Sequence, residues 1–145
     1  MMPKAETREK ELTRLFTPMA LSPIAAGFPS PAEDFMEKSL DLNEHIIRNP
    51  PSTFLVRVSG DSMVNNCNGG GIQSGDILVV DKSLHACSGR VVIAILNGEF
   101  TVKRLRLKNG QAHLIPDNPD FPVIPVTGDD SLEIWGTVTW VLRQL

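Results

Sequence analysis

Alternating apolar and polar residues from position 53 onward constrain the fold more than any other feature of this sequence. Side chains of a β-strand point to opposite faces in turn, so a period of two predicts strands that are buried on one side. Glycine-containing turn signals separate the runs, and Asn97-Gly98 predicts a tight hairpin because both residues tolerate a positive φ. The predicted strands cover residues 53–58, 77–80, 91–96, 99–107 and 132–142. We therefore expect a mostly β fold with a bent antiparallel β body.

The N-terminal part of the chain carries different signals. Residues 1–29 combine charged side chains with a turn-prone stretch of small residues, and such a segment buries little apolar surface. Capping-box signals, the first with proline at the first helical position, predict two short helices over about 31–38 and 42–48. The predicted organisation is a flexible N-terminal arm over residues 1–29, followed by a β-rich domain over residues 30–145.

Composition and charge argue against several classes of protein. The 145 residues include 14 Lys and Arg against 17 Asp and Glu, and the net charge of −3 argues against a protein that wraps nucleic acid. The N-terminal segment alternates charges where a secretory signal needs an apolar stretch, and no run of about 18 apolar residues is present. We therefore expect a cytoplasmic bacterial protein that does not cross a membrane.

Cysteine and histidine spacings favour neither a disulfide nor a metal site. Cys67 and Cys87 lack the CxxC spacing of metal and redox motifs. His45, His85 and His113 lie far apart and form no HxH or HExxH pattern. We expect two free thiols, no metal and no cofactor.

The strand predicted over residues 99–107 puts a cation in an unusual position. Strand alternation places Lys103 on the same face as Thr101, Leu105 and Leu107. The pattern alone leaves two interpretations open. In one, Lys103 lies at a strand edge and its ammonium reaches solvent. In the other, Lys103 is buried and desolvation lowers its pKa, which would make it a general base.

A nucleophile for such a base is present in Ser59-Gly60-Asp61-Ser62-Met63, where the first strand of the β body ends. Gly60 permits an unusual backbone conformation. A tight turn here would expose the Ser62 hydroxyl together with consecutive backbone N–H groups that can stabilise an oxyanion. Taken alone this motif is weak, because Ser-Gly-Asp-Ser also occurs in ordinary turns.

Three blocks taken in order resemble a known family. Residues 59–63, 75–81 and 98–105 are similar to the nucleophile, connecting-strand and lysine-strand segments of the LexA/UmuD family of serine–lysine self-cleaving proteins. Residues 25–31, Ala-Ala-Gly-Phe-Pro-Ser-Pro, resemble the self-cleavage site of that family. The resemblance runs from about residue 20 to the C-terminus. It implies the bent antiparallel β body of the family's C-terminal domain.

The resemblance also implies a self-cleaving serine endopeptidase. Ser62 would be the nucleophile and Lys103 the general base, and the bond that they cut would be Ala26–Gly27. Backbone N–H groups near Ser62 and Met63 would hold the oxyanion. Thr101, two residues before the lysine on the same strand face, would orient its amine.

The length of the segment before the cleavage site favours the UmuD branch of the family. Repressors of the LexA type carry a helix-turn-helix domain there, which needs on the order of 60 residues, whereas 26 residues precede Gly27. Pro116-Asp117-Asn118-Pro119 also falls where the UmuD branch has similar residues. The branch implies a homodimer, stimulation by a RecA filament on single-stranded DNA, and a UmuC-like Y-family polymerase as partner, without sequence-specific DNA binding.

Two features depart from the family's pattern. Residues 65–71 are longer than the usual link between the methionine and the next strand, and we expect a flexible loop beside the active site. Ala26 stands where UmuD proteins often have cysteine, and both residues are small.

Two alternatives stay open from the sequence. A signal peptidase also combines Ser-x-Met with a downstream lysine, but it acts on other proteins at a membrane. A non-catalytic interaction module would use Ser62 as a turn residue and Lys103 as a solvated one.

Overall fold

A computed structural model describes residues 16–20, 23–24, 26–27, 37–65 and 70–145. The chain divides into two compact units, Met1–Arg48 and Asn49–Leu145. Within the described residues, no helix is both long enough and apolar enough to cross a membrane.

The first unit contains a two-stranded antiparallel sheet and a short helix. Strand β1 (Phe16–Ala20) pairs with strand β2 (Glu37–Asp41), so that Phe16 lies opposite Asp41. Helix α1 (Leu42–Ile46) follows directly, and the Asp41 carboxylate accepts a hydrogen bond from the Asn43 amide at 3.0 Å, as an N-cap does.

The helix predictions for this unit are confirmed only in part. The capping signal at Asp41 does begin a helix, although α1 ends at Ile46 rather than residue 48. The predicted helix over 31–38 lies outside the described residues up to residue 36, and its last two residues belong to β2 instead. Pairing with β1 is a tertiary contact, and it overrides local capping signals. The flexible arm over 1–29 stays a prediction, although it did not anticipate β1 within that range.

The second unit is built around a seven-stranded antiparallel sheet, which confirms the mostly β prediction. A 3-10 turn (Pro50–Ser52) leads into it. Its order is β10-β9-β8-β7-β11-β6-β3, and β4 and β5 form a separate two-stranded ladder. The strands are β3 (Thr53–Arg57), β4 (Val64–Asn65), β5 (Gly70–Gly71), β6 (Ile77–Asp81), β7 (Val91–Leu96), β8 (Glu99–Lys108), β9 (Gln111–Ile115), β10 (Ile124–Pro125) and β11 (Leu132–Leu142).

The hairpin predicted at Asn97-Gly98 is confirmed. Both residues have positive φ, 50° and 82°, and they join β7 to β8. Two consecutive positive φ angles match the right-handed twist of the flanking strands. Asn109 and Gly110 repeat the arrangement between β8 and β9. The two turns give β8 a partner strand on each side.

Strand β11 bends the sheet and separates β7 from β6. Its register shifts between Ile134 and Gly136 against β7, and between Val138 and Trp140 against β6. A Cβ at position 136 would come within 2.5 Å of Val80 Cγ1, so glycine allows the close approach of β11 to β6. Bulges of this kind increase twist and bend the strand.

Two apolar clusters form the core of the second unit. The first contains Val58, Met63, Ile72, Leu78, Val80, Ile93 and Val138. The second contains Val92, Ala94, Leu105 and Leu114. The turn that follows β3 therefore has its methionine anchored in the first cluster, and this anchoring fixes the residues beside it.

Candidate active site

The turn after β3 presents Ser62. Val58 continues the strand pairing by donating its amide to Asp76 O at 2.9 Å, after which Gly60 takes a φ of 96° and reverses the chain. The Asp61 carbonyl accepts a hydrogen bond from the Val64 amide at 3.1 Å, so Ser62 and Met63 occupy the two central positions of a tight turn. The Ser62 side chain is half-buried.

Met63 fixes the turn from below. Its side chain is buried in the core, and its carbonyl accepts a hydrogen bond from the Ile72 amide at 3.0 Å. Gly71 has a φ of 62°, and a Cβ there would collide with the Met63 carbonyl oxygen. The backbone that follows Ser62 is therefore packed directly against β5.

Lys103 lies against the Ser62 hydroxyl. Its Nζ donates to Ser62 Oγ at 3.0 Å, to Thr101 Oγ1 at 2.8 Å and to Val102 O at 3.1 Å. Lys103 is 7% exposed and lies on an interior strand, opposite the fully buried Val92. The interpretation of Lys103 as a solvated edge lysine is therefore wrong.

The surroundings of Lys103 disfavour its charged form. Burial lowers the pKa of the Lys103 ammonium from its ordinary value. The three oxygens in contact with Nζ are neutral, and in the described part of the chain no carboxylate forms an ion pair with it. In the neutral amine, the lone pair can accept the Ser62 hydroxyl proton along the same 3.0 Å contact.

A cleft of about 440 Å³ opens in front of these groups. Apolar side chains line most of it, among them Val56, Ile93 and Val102, while Ser62 and Thr101 contribute polar groups. At its mouth, Phe100 packs edge-to-face on Trp135 with ring centroids 5.9 Å apart. Such a cleft suits an extended segment with small or apolar side chains.

The structure brings four of the predicted site residues together: Ser62, Met63, Thr101 and Lys103. Ala26 and Gly27 belong to the first compact unit, where both are exposed and lie in a bend. The loop predicted over residues 65–71 is outside the described residues at positions 66–69, and its ends form β4 and β5.

Sequence reasoning gave no role to the segment between β9 and β10. Asn118 donates its amide N–H to Ser62 O at 3.0 Å and its Nδ2 to Asp61 O at 2.9 Å. Asp117 forms a two-pronged ion pair with Arg104, the residue after Lys103, at 2.9 Å in both hydrogen bonds. The prolines and the Asp-Asn pair signalled a turn here, but a turn signal does not name its distant partner.

No group of three or more His, Cys, Asp or Glu side chains in the described residues is arranged to hold a metal ion. The chemistry that this site can support is therefore sought in the serine and the lysine.

Residues 18–139 match the model of the Peptidase S24-like family. The chain belongs to this family. It is 48% identical to Protein MucA of Salmonella typhimurium over 128 residues, which cover 88% of this chain and 84% of MucA. It is 46% identical to Protein SamA of Salmonella typhimurium strain LT2 over 136 residues, or 94% of this chain and 91% of SamA. The resemblance to the LexA/UmuD family, in its UmuD-like branch, is thereby confirmed.

Similarity to a repressor extends over a smaller share of the relative. The chain is 34% identical to the LexA repressor of Paracidovorax citrulli over 133 residues, which are 92% of this chain and 57% of that repressor. The shared part includes the serine–lysine region described above.

Proposed function

We propose that this protein is a self-cleaving serine peptidase that cuts its own Ala26–Gly27 bond, with Ser62 as the nucleophile and Lys103 as the general base. The observation that carries the proposal is the 3.0 Å contact between Lys103 Nζ and Ser62 Oγ, made where burial lowers the lysine pKa. Membership in the Peptidase S24-like family supports hydrolysis of a peptide bond.

The reaction begins with a proton transfer. Neutral Lys103 takes the Ser62 hydroxyl proton while Oγ forms a bond to the Ala26 carbonyl carbon, which gives a tetrahedral oxyanion. Collapse of this intermediate breaks the carbon–nitrogen bond, and Lys103 returns the proton to the Gly27 amine. Water then attacks the Ala26 acyl ester, again losing its proton to Lys103, and releases the Ala26 carboxylate and free Ser62.

The remaining groups position the reactants. Thr101 Oγ1, 2.8 Å from Nζ, restrains the amine so that its lone pair faces Ser62. The backbone N–H groups of Ser62 and Met63 lie in the tight turn and are the proposed donors to the oxyanion. The small residues Ala25, Ala26 and Gly27 would let the arm enter the apolar cleft in extended form.

The cellular role that we propose is SOS mutagenesis. A RecA filament on single-stranded DNA would stimulate the cut, and the trimmed homodimer would join a UmuC-like Y-family polymerase as its accessory subunit in the cytoplasm. Similarity to MucA and SamA over most of their lengths supports a role shared with these proteins.

Incubation of the purified full-length chain over a range of alkaline pH tests the chemistry. Intact-mass measurement and N-terminal sequencing should identify fragments 1–26 and 27–145. Ser62→Ala should give none, while Ser131→Ala, at an exposed turn, should cut like the wild type. A non-catalytic module would give no fragments from any variant. A new N-terminus other than Gly27 would place the site elsewhere.

Gly27→Glu tests the substrate position. A Cβ at Gly27 meets no described atom within 4 Å, so the substitution should leave the fold intact and block cutting only because glutamate does not fit the cleft. Gly128→Glu is a matched control, since position 128 is equally open. Normal cutting by Gly27→Glu would contradict the proposed bond.

Assembly is tested separately. RecA bound to single-stranded DNA with a nonhydrolysable nucleotide should accelerate cutting of the wild type. Light scattering at micromolar concentration should give a dimer mass for fragment 27–145, and a monomer mass would contradict the proposed homodimer.

A further inference from the structure

Asn118 holds two consecutive carbonyl groups of the nucleophile turn. Its backbone N–H donates to Ser62 O at 3.0 Å, and its side-chain Nδ2 donates to Asp61 O at 2.9 Å. The Asp61 carbonyl also accepts from the Val64 amide, so both of its lone pairs are used. A single residue from a distant loop therefore fixes the direction of two neighbouring peptide groups.

These two peptide groups carry the proposed oxyanion donors. The carbonyl of Asp61 shares a planar peptide unit with the N–H of Ser62, and the carbonyl of Ser62 shares one with the N–H of Met63. In a trans peptide the C=O and N–H point in opposite directions, so holding the oxygen also sets the direction of the hydrogen. The N–H groups of Ser62 and Met63 are thus aimed by contacts on the opposite side of the turn.

The loop that carries Asn118 is itself held in place. Asn118 Oδ1 accepts from the Asp120 amide at 3.0 Å, which fixes the side-chain amide so that Nδ2 faces Asp61. Arg104 donates to both Asp117 carboxylate oxygens at 2.9 Å and to Gly89 O at 2.7 Å. The Asp117 amide donates to Met63 Sδ at 3.4 Å. The loop therefore connects the strand of Lys103 to the turn of Ser62.

We propose that Asn118 is a positioning residue that aims the Ser62 and Met63 N–H groups at the oxyanion, and that the Arg104–Asp117 pair anchors it. The inference rests on the proposed self-cleavage. It concerns stabilisation of negative charge in the transition state, whereas Lys103 governs proton transfer. Defects in the two roles should consequently differ in their pH dependence.

Two variants of Asn118 test the inference. Asn118→Ala removes the donor to Asp61 O. Asn118→Asp keeps an oxygen that can accept from the Asp120 amide but places a second oxygen, without a proton, against Asp61 O. Loss of one direct oxyanion donor costs about 10²–10³-fold in rate. Because Asn118 acts through the backbone, we expect a reduction on the order of 10- to 100-fold.

The measurement is the first-order rate of self-cleavage from neutral to alkaline pH. It is made well below the thermal midpoint of each variant. Asn118→Ala should lower the rate at every pH by the same factor and leave the apparent pKa of the profile unchanged. Asn109→Asp is the matched control, because Asn109 is a turn asparagine about 20 Å along β8 from Lys103, and it should cut at the wild-type rate. Arg104→Met should give a smaller reduction of the same kind.

A second readout separates this inference from the proposed function. Labelling of Ser62 by diisopropyl fluorophosphate, which places a phosphoryl oxygen in the oxyanion position, should slow in both Asn118 variants. Wild-type cleavage or labelling of Ser62 together with unchanged rates in folded Asn118 variants would overturn the inference and leave the proposed function standing. A shifted apparent pKa with an unchanged maximal rate would also overturn it. A wild type that neither cuts nor reacts with the probe would overturn both.

Discussion

Two lysines of the second unit show how surroundings decide what a side chain can do. Lys82, just after β6, is exposed, and its Nζ lies 4.9 Å from the centroid of Trp135 and 5.7 Å from that of Phe54. Aromatic faces attract an ammonium group electrostatically. Lys103 is buried and touches three neutral oxygens. The fold thus holds one lysine as a cation and prepares the other to lose its proton.

Lys103→Arg should have the largest effect on this contrast. A guanidinium does not deprotonate in the accessible pH range, so the general base is lost. We expect self-cleavage to fall on the order of 10²–10⁴-fold, which is the usual contribution of general acid–base catalysis. Time courses at several pH values measure it. Lys82→Arg is the matched control and should cut normally, whereas normal cutting by Lys103→Arg would turn attention to the histidines.

Thr101→Val should have the next largest effect. The change removes the oxygen that accepts from Nζ at 2.8 Å while keeping a β-branched side chain on β8. The maximal rate should fall about tenfold because the amine is less well oriented. Since a hydrogen bond to the charged form favours that form, its loss should move the pH–rate profile to lower pH. A profile that moves to higher pH would contradict this account of Thr101.

Lys103→Met should stabilise the fold at neutral pH. Because burial lowers the pKa of Lys103 in the folded state, the unfolded chain binds more protons between the folded pKa and about 10.4, and wild-type stability rises with pH in that window. Methionine removes the cost of the buried charge, and each kcal/mol gained raises the thermal midpoint by about 2–8 °C. The advantage of Lys103→Met should be greatest near pH 7 and should shrink towards pH 10. A constant difference across this range would show that Lys103 has an ordinary pKa.

Lys82→Met should have the smallest effect. Loss of the contacts with the two aromatic rings should lower stability by about 0.5–1 kcal/mol, which is typical of exposed cation–π pairs. The cleavage rate should stay within about twofold of the wild type, because Lys82 takes no part in proton transfer. Urea unfolding and a cleavage time course on the same preparation test both expectations.

Local rules were enough to predict several parts of the site. Asn-Gly at residues 97–98 specified the β7–β8 hairpin, and strand alternation then placed Lys103 and Thr101 on one face. The sequence left Lys103 open between an edge position and a buried one because β9 was not predicted. With β9 paired to its outer side, β8 becomes an interior strand, and this distinction depends on a neighbour rather than on β8 itself.

Other parts of the structure were beyond local rules. Strict alternation along β11 does not allow Gly136, Thr137 and Val138 to be buried in succession, yet all three are. The register shifts against β7 and β6 make this arrangement possible. The bonds from Asn118 to the Ser62 turn join residues more than 50 positions apart, so no periodicity reveals them. The two compact units likewise depend on pairing between distant segments.

Gly71 bears on how natural variation in this chain is interpreted. Any side chain there would collide with the Met63 carbonyl oxygen, whereas one at Gly128 meets open space. A survey of variants scored by activity would therefore find position 71 as intolerant as Ser62, although Gly71 performs no chemistry. Intolerance to substitution near this turn records the close approach of two backbones as faithfully as it records a reacting group, so it does not by itself identify the residues of the reaction.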